Sequence, residues 1–307
     1  MKSAVALSAP SQTPVDALVC TRRSLGAILA DLIKARLTFL VLVTTLVGFV
    51  LGLESGPFSY WLLFYCMIGT ALCASGAAAL NQWMERTADA RMDRTKDRPL
   101  PTGELKPAQA AALGVISCVF GVSLLFWFTT PLATGAALAT ILSYLVFYTP
   151  LKKISTLNTL VGAVPGALPP VIGYAASANR LDLPIVVLFS ILFLWQLPHF
   201  LAISWLYRED YLRGGFRMVS GNDISGNETA IKAIVYTILL IVASILPWAL
   251  GFHSLTSLFG ALFLGLGFLY YAILFLKKRT LPNARRLFFA SIIYLPILLG
   301  LLVFTKR

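Results

Sequence analysis

Residues 107–151 read PAQAAALGVISCVFGVSLLFWFTTPLATGAALATILSYLVFYTPL, forty-five positions without an Asp, Glu, Lys or Arg. A helix crossing hydrocarbon needs roughly 20 apolar residues. The stretch is therefore two crossings, and Thr129-Thr130-Pro131 near its middle supplies the break between them. Open sheets cannot satisfy their backbone in lipid, so the crossings are helices. Six further charge-free stretches lie outward from it: 37–53, 55–84, 154–179, 183–207, 233–276 and 287–305. The stretch 233–276 is long enough for two crossings and breaks between Pro247 and Ser254. The expected fold is all-α, a polytopic membrane protein of about nine helices.

The composition agrees. Only 12% of the 307 residues are charged and 58% are hydrophobic, against about a quarter charged in ordinary soluble domains. Lipid is the solvent for most of this chain. The net charge of +12 sits in alternate loops. If the N-terminus is cytoplasmic, 22 of the 25 Lys and Arg fall on the inner side, leaving only Arg180, Lys306 and Arg307 outside. That is the positive-inside pattern, and it excludes nucleic-acid binding, which needs a solvated basic face. Cys66, Cys73 and Cys118 lie inside expected spans, with no Cys-x2-Cys pair, and read as small buried apolar residues. Residues 1–31 read as a cytoplasmic tail before a single transmembrane domain, 32–307. Their Ser/Thr content leaves a transit peptide open, but Asp16 and Asp31 count against it.

Positive-inside topology requires no acids, yet nine of the thirteen acidic residues lie in two inner loops, 81–107 and 206–232. The first runs Asn81, Glu85, Asp89, Asp93 at a spacing of four, with Arg86, Arg91, Arg94 and Arg98 between them. No breaker occurs until Pro99, so span 2 is expected to continue as a helix out to residue 98. On that helix the four residues form one oxygen-rich stripe, each offset about 40° from the last. Such a stripe suits Mg²⁺, which takes one or two carboxylates and completes its shell with water and substrate phosphates. The arginines would neutralise a diphosphate. A solvated helix with i,i+4 ion pairs is the competing account. The second loop opens Tyr207-Arg208-Glu209-Asp210-Tyr211, and two acidic helix ends on one side can face each other across a cavity. The spacing of the two loops, four spans apart, hints at an internal duplication.

These residues resemble the UbiA superfamily of intramembrane prenyltransferases, and within it the haem-farnesylating branch. The similarity rests on Asn81-x3-Glu85-x3-Asp89-x2-Met92-x-Arg94-Thr95-x2-Arg98-Pro99-Leu100, Tyr148-Thr149-Pro150-Leu151-Lys152-Lys153, Asn158-Thr159 with Gly162, Pro165-Gly166-Ala167 and Pro169-Pro170, then Trp195-Gln196-Leu197-Pro198-His199-Phe200 and Asp210-Tyr211. It extends from about Lys34 to the last span. The resemblance implies nine helices around a central cavity, and farnesyl transfer from farnesyl diphosphate to a vinyl group of haem b, giving haem O. It implies Mg²⁺ held by Asn81, Glu85, Asp89 and Asp210, with Tyr148 at the reacting centre. It implies substrate contacts from Lys34, Arg36, Arg94, Arg98, Lys152, Asn158 and His199. It places the protein in a cell inner membrane, with the site on the cytoplasmic face and a mitochondrial inner membrane less favoured. A haem A synthase or an oxidase assembly factor is the implied partner. Where similar sequences continue Pro-Met-Leu-Pro after Gly215, this chain has Arg217-Met218-Val219-Ser220, so Asp223 and Glu228 carry less weight than Asp210.

Several of these residues have plainer accounts. His199 follows Pro198 inside a charge-free span, where an ionisable residue marks function; a hydrogen bond to a neighbouring helix would also explain it. Tyr148 and Lys152 can be an interfacial aromatic and a topology lysine, and Lys34 and Arg36 topology charges alone. The Gly and Pro residues of span 5 fit close packing as well as a widened cavity. His253 falls in a short outer connection. Two other functions stay open: a UbiA-type enzyme acting on an aromatic quinone precursor, and a secondary transporter. Transporters keep ionisable residues near the midplane, whereas here they gather at helix ends on one side.

Overall fold

A computed structural model describes residues 23–54 and 58–307. Residues 1–22, most of the expected tail, lie outside the described residues. Nine helices long and apolar enough to span a bilayer are present among those described. A short amphipathic helix, α1 (Leu25–Leu32), precedes them. The spans are α2 (Ala35–Gly52), α3 (Tyr60–Asp89), α4 (Pro107–Phe128), α5 (Pro131–Leu151), α6 (Asn158–Ala178), α7 (Leu183–Leu206), α8 (Asn227–Ala249), α9 (Leu255–Lys277) and α10 (Leu281–Thr305). Among the described residues no strand forms.

The breaks behave as their chemistry demands. Thr130 caps α5 by accepting from the Ala133 amide, and Pro131 takes the first turn, where its missing N–H costs nothing. Pro247 is carried inside the last turns of α8, and the chain turns only after Ala249. Residues 23–31 are not a free tail. Ser24 caps α1, Leu32 is buried against Ala79, Leu100 and Leu105, and Gln82 Nε2 donates to the Asp31 and Leu32 carbonyls at 2.7 and 3.0 Å.

Each span packs on its chain neighbours, α7 also meets α10, and α10 touches α2. Large apolar side chains such as Phe39, Trp61, Phe64, Phe126 and Trp127 point outward, as lipid requires. Inside, small residues let backbones approach, because hydrocarbon gives no hydrophobic drive for helices to associate. The tightest seam joins α2 to the second half of α6. A Cβ on Gly48 would stand 1.9 Å from the Pro170 carbonyl oxygen, and one on Gly173 1.9 Å from that of Thr45. Cys66, Cys73 and Cys118 are free and buried.

That seam is a test of the packing. Gly173→Ala should cost about 1–3 kcal/mol, the range for overpacking a well-filled core, seen as a lower thermal midpoint in detergent. Gly267→Ala, with nothing within 4 Å of the added Cβ, should stay within about 0.5 kcal/mol of the parent. Equal midpoints for the two variants would contradict this account of α2 against α6.

Candidate active site

The last turns of α3 place Asn81, Glu85 and Asp89 on one face, all buried. Each meets a basic residue from another part of the chain. Lys34 Nζ donates to Asn81 Oδ1 at 2.8 Å. Lys152 Nζ lies 2.8 and 3.1 Å from the two Glu85 carboxylate oxygens. Arg98 donates to Asp89 Oδ2 at 2.7 Å. Asn81 Nδ2 donates in turn to Thr149 Oγ1 at 3.0 Å, tying α3 to the end of α5. Charges this deeply buried are tolerated only when paired.

All of these residues but Asn81 and Thr149, which are buried behind its wall, form the polar mouth of a cavity of about 460 Å³ between α2, α3, α5, α6 and α7, within the size range of small-molecule sites. Lys34, Glu85, Asp89, Arg94, Arg98 and Lys152 all line it. Its deeper walls are apolar or small, including Val41, Ala74, Ala137 and Ile172. Lys34 is N-terminal to α2 and has the left-handed φ of 50°, which turns the chain from α1 so that its side chain reaches the cavity. Burial, and then the nearby Arg98 and Lys152 cations, lower its ammonium pKa to about 7. Glu85 and Asp89 act the other way.

The end of α5 is not a plain α-helix. Residues Ser143–Tyr148 form a π-helical segment, a local widening that often marks functional sites. It brings Tyr144 and Tyr148 into a stacked pair, centroids 5.7 Å apart, both lining the cavity. Lys152 Nζ sits 4.5 Å from the Tyr148 ring centre. On the facing helix, a Cβ at Gly162 would fall 2.4 Å from Tyr148 Cε2, so this glycine makes room for the ring. Lys152 is set by opposing influences: burial acts to lower its pKa, but Tyr148 and the Glu85 carboxylate outweigh burial and raise it.

On the α7 wall, His199 is stacked against Trp195 and Phe288, at centroid distances of 5.1 and 5.0 Å. It lines the same cavity as the charged mouth, roughly 10 Å inward from the end of α7 at 1.5 Å per residue. Gln196, one residue on from Trp195, donates to Ala163 O at 3.2 Å and packs against Gly166, where a Cβ would meet Gln196 Oε1 at 1.9 Å. The irregular α6 thus serves both the packing and the cavity shape.

Comparison with known proteins matches this architecture. The UbiA prenyltransferase family model covers residues 41–293. The chain belongs to the UbiA prenyltransferase family. Protoheme IX farnesyltransferase of Solibacter usitatus is 43% identical over 90% of this chain and 97% of its own length. The mitochondrial protoheme IX farnesyltransferase of Homo sapiens is 39% identical over 92% of this chain and 63% of that protein. In fold, a digeranylgeranylglyceryl phosphate synthase superposes with a TM-score of 0.77 at 17% identity, covering 91% of this chain and 97% of that one. A UbiA homologue from Archaeoglobus fulgidus bound to DMAPP and Mg²⁺ gives 0.66 at 12% identity, covering 89% and 98%.

Not every expected residue reaches the cavity of this UbiA protein. α3 stops at Asp89 rather than running to Pro99, so Asp93 leaves the stripe and pairs with Lys96 and Arg213 at the surface. The physical reason is competition for the backbone. Thr95 Oγ1 donates to the Asp89 carbonyl at 2.9 Å, and the Asp210 carboxylate accepts from the Asp93 and Arg94 amides at 3.1 and 3.3 Å. Asp210 therefore does not line the cavity opposite Glu85; its oxygens are taken by the loop and by Arg213. Arg36 and Arg91 are exposed, and Arg86 folds back on the Trp83 carbonyl. Asn158 borders the cavity, but its Nδ2 donates to the Ser155 and Arg217 carbonyls, both at 2.6 Å, holding the loop after Gly215. Asp223 accepts from the Thr229 amide at 2.8 Å at the start of α8. Glu228 pairs with Lys232. Among the described residues, no cluster of three or more His, Cys, Asp or Glu could hold a metal; the carboxylate oxygens that open on the cavity are those of Glu85 and Asp89, whereas Asn81, expected beside them, is fully buried with its Oδ1 taken by Lys34. Tyr144 was not singled out in the sequence, although it stands one helical turn before Tyr148; its hydroxyl accepts from Lys34 Nζ at 3.3 Å.

Asp210 thus pins residues 93–94, and with them Arg94, which rests over the Tyr207 and Tyr211 rings at 5.3 and 5.4 Å. Burial pushes the Asp210 carboxyl up, but Arg213 and the two loop amides outweigh it and hold the pKa low. The pin is present above the ordinary carboxylate range and is lost as pH falls through that lowered value. Asp210→Ala should speed amide hydrogen exchange at Asp93 and Arg94 by about tenfold or more, the equivalent of ~1.4 kcal/mol of lost protection, while α3 amides before residue 85 stay unchanged. Unaltered exchange at those two amides would show that the loop holds its shape without Asp210.

Proposed function

We propose that this protein transfers a farnesyl group from farnesyl diphosphate to a vinyl group of haem b, producing haem O. One observation carries the proposal: a charged mouth suited to a diphosphate and an unpaired-edge histidine, His199, wall a single apolar cavity. The names of relatives that match nearly the whole chain support it. The mouth lies at the ends of the helices joined by the Lys/Arg-rich loops, which supports a cytoplasmic-facing site in a cell inner membrane.

The donor set fits a hard divalent cation, since Mg²⁺ is satisfied by one or two carboxylates with phosphate and water. Glu85 and Asp89 would hold it, with Asn81 fixing Lys34 behind them, and when bound it supplies charge withdrawal from the departing diphosphate. Arg98, Lys152, Lys34 and Arg94 add fixed positive charge for the diphosphate oxygens. Arg98 and Lys152 are now paired with Asp89 and Glu85, so binding exchanges one set of anionic partners for another. Tyr148 and Tyr144 offer ring faces to the allylic cation as the C–O bond to diphosphate breaks. The apolar walls keep water from that cation. The haem vinyl π-bond then forms the new C–C bond, which needs no base. Water adds to the resulting cation and a proton is released, giving the hydroxyethyl-farnesyl group. Asp210 acts by fixing the loop that carries Arg94.

Membranes containing the protein, given haem b and farnesyl diphosphate, should form haem O by mass only when Mg²⁺ is supplied. Asp89→Asn should lower that rate by at least about a hundredfold, the scale of losing one charge-stabilising group, with insertion intact. Near-parent activity in this variant would sink the diphosphate site.

Lys34 gives a pH signature. With its pKa near 7, the ammonium is lost as pH rises through neutrality, and its help to the diphosphate is lost with it. Diphosphate binding stabilises the charged form and should take up a proton between pH 7 and 8, measurable by calorimetry in buffers of different ionisation enthalpy. Lys34→Arg, charged throughout, should abolish that part of the uptake. Identical proton uptake in parent and variant would show that Lys34 does not titrate at the site.

A further inference from the structure

The ring of His199 is held by a contact that no charged or aromatic motif announces. Its Nδ1 lies 2.7 Å from Ser291 Oγ on α10. The same hydroxyl donates to the Phe288 carbonyl at 2.5 Å. A hydroxyl has one proton, and a carbonyl can only accept, so the proton of Ser291 is committed to Phe288. Its oxygen must then accept from histidine. That makes Nδ1 the protonated nitrogen and leaves Nε2 as a bare lone pair. Ser291 is fully buried, and Trp195 Nε1 donates to the Ser291 carbonyl at 2.7 Å, which fixes one of the two rings stacked on His199. Trp195 lies at 22° to the imidazole and Phe288 at 28°. With Nδ1 spent, Nε2 is the only nitrogen left for a ligand.

We infer that Ser291 is a positioning residue: through the chain Phe288 carbonyl, Ser291 hydroxyl, His199 Nδ1–H, it fixes the tautomer and rotation of His199 so that Nε2 presents a lone pair to the iron of the haem substrate. The inference rests on the haem reading of the cavity. A ligating imidazole whose other nitrogen is tied to an acceptor is held in one tautomer and is the more basic for it. Here the acceptor is a neutral hydroxyl on a different helix, so α10, which contributes nothing to the polar mouth, sets the orientation of the acceptor substrate. An iron held at a fixed distance from α7 also fixes the vinyl group relative to the diphosphate carbon, and correct placement governs rate.

The test is haem binding by the purified full-length protein in nanodiscs, without farnesyl diphosphate. The readouts are affinity from the absorbance titration and the iron–histidine stretch of the ferrous form. Ser291→Ala should weaken haem binding by about tenfold or more, the scale of losing such an outer partner, and should shift the iron–histidine band. Ser291→Thr, which keeps the hydroxyl, should return both toward the parent; Ser291→Val, of the same shape without it, should not. His199→Ala should abolish the band. Binding of farnesyl diphosphate with Mg²⁺ serves as the folding control in every variant. If Thr and Val behave alike, or if Ala keeps the parent band and affinity, the positioning role is overturned while the haem reading stands. If His199→Ala leaves the band unchanged, the haem reading of this wall falls, and the role of Ser291 with it.

Discussion

Glu85 and Asp89 are carboxylates buried at the end of a membrane helix, and neither can remain there as a lone charge. Their partners come from elsewhere: Lys152 from the end of α5 and Arg98 from the loop after α3. A third basic residue, Lys34 from the junction of α1 and α2, completes the row through Asn81. This requirement for pairing organises the inner end of the bundle. It draws α2, α3 and α5 toward one point and folds the 90–103 loop back on its own helix. In the proposed reaction these same pairs are the ones a diphosphate would exchange.

The apolar half of the cavity follows from different physics. Helices in lipid associate through close packing of small residues, and α6 is built for it, with Gly162, Gly166 and Gly173 lying against Tyr148, Gln196 and Thr45. Proline at 165, 169 and 170 bends α6 near Leu168. The bend, together with the π-helical turn of α5, opens space between helices that would otherwise meet along their length. The cavity is the gap that irregular helices leave.

Nine spans were legible because charge-free length is a direct consequence of hydrocarbon thickness, and the break at Thr129-Thr130-Pro131 carried its own cap chemistry. The membership of Glu85, Asp89, Lys152 and His199 in one cavity followed from helical spacing and the resemblance to UbiA prenyltransferases. What could not be read was where tertiary contacts override local preference. Residues 90–98 contain no helix breaker, yet Asp210, more than a hundred residues away, captures the amides that would have continued α3. The same contact moves Asp210 from an expected metal ligand to a loop anchor. The π-helical turn leaves no composition signal, so Tyr144 escaped notice, and Ser291 is one of many serines until its distance to His199 is known.

The central claim is that one cavity holds both substrates, with the prenyl diphosphate at the α3–α5 mouth and the haem against α7. A cryo-electron microscopy structure of the protein with haem b, Mg²⁺ and a non-hydrolysable thio-analogue of farnesyl diphosphate tests this most directly. The account requires the diphosphate between Lys34, Arg98 and Lys152, the prenyl chain running toward Ile172, and the haem iron within ligand distance of His199 Nε2. Haem density at any other surface, with His199 still bonded only to Ser291 and facing empty space, would contradict it.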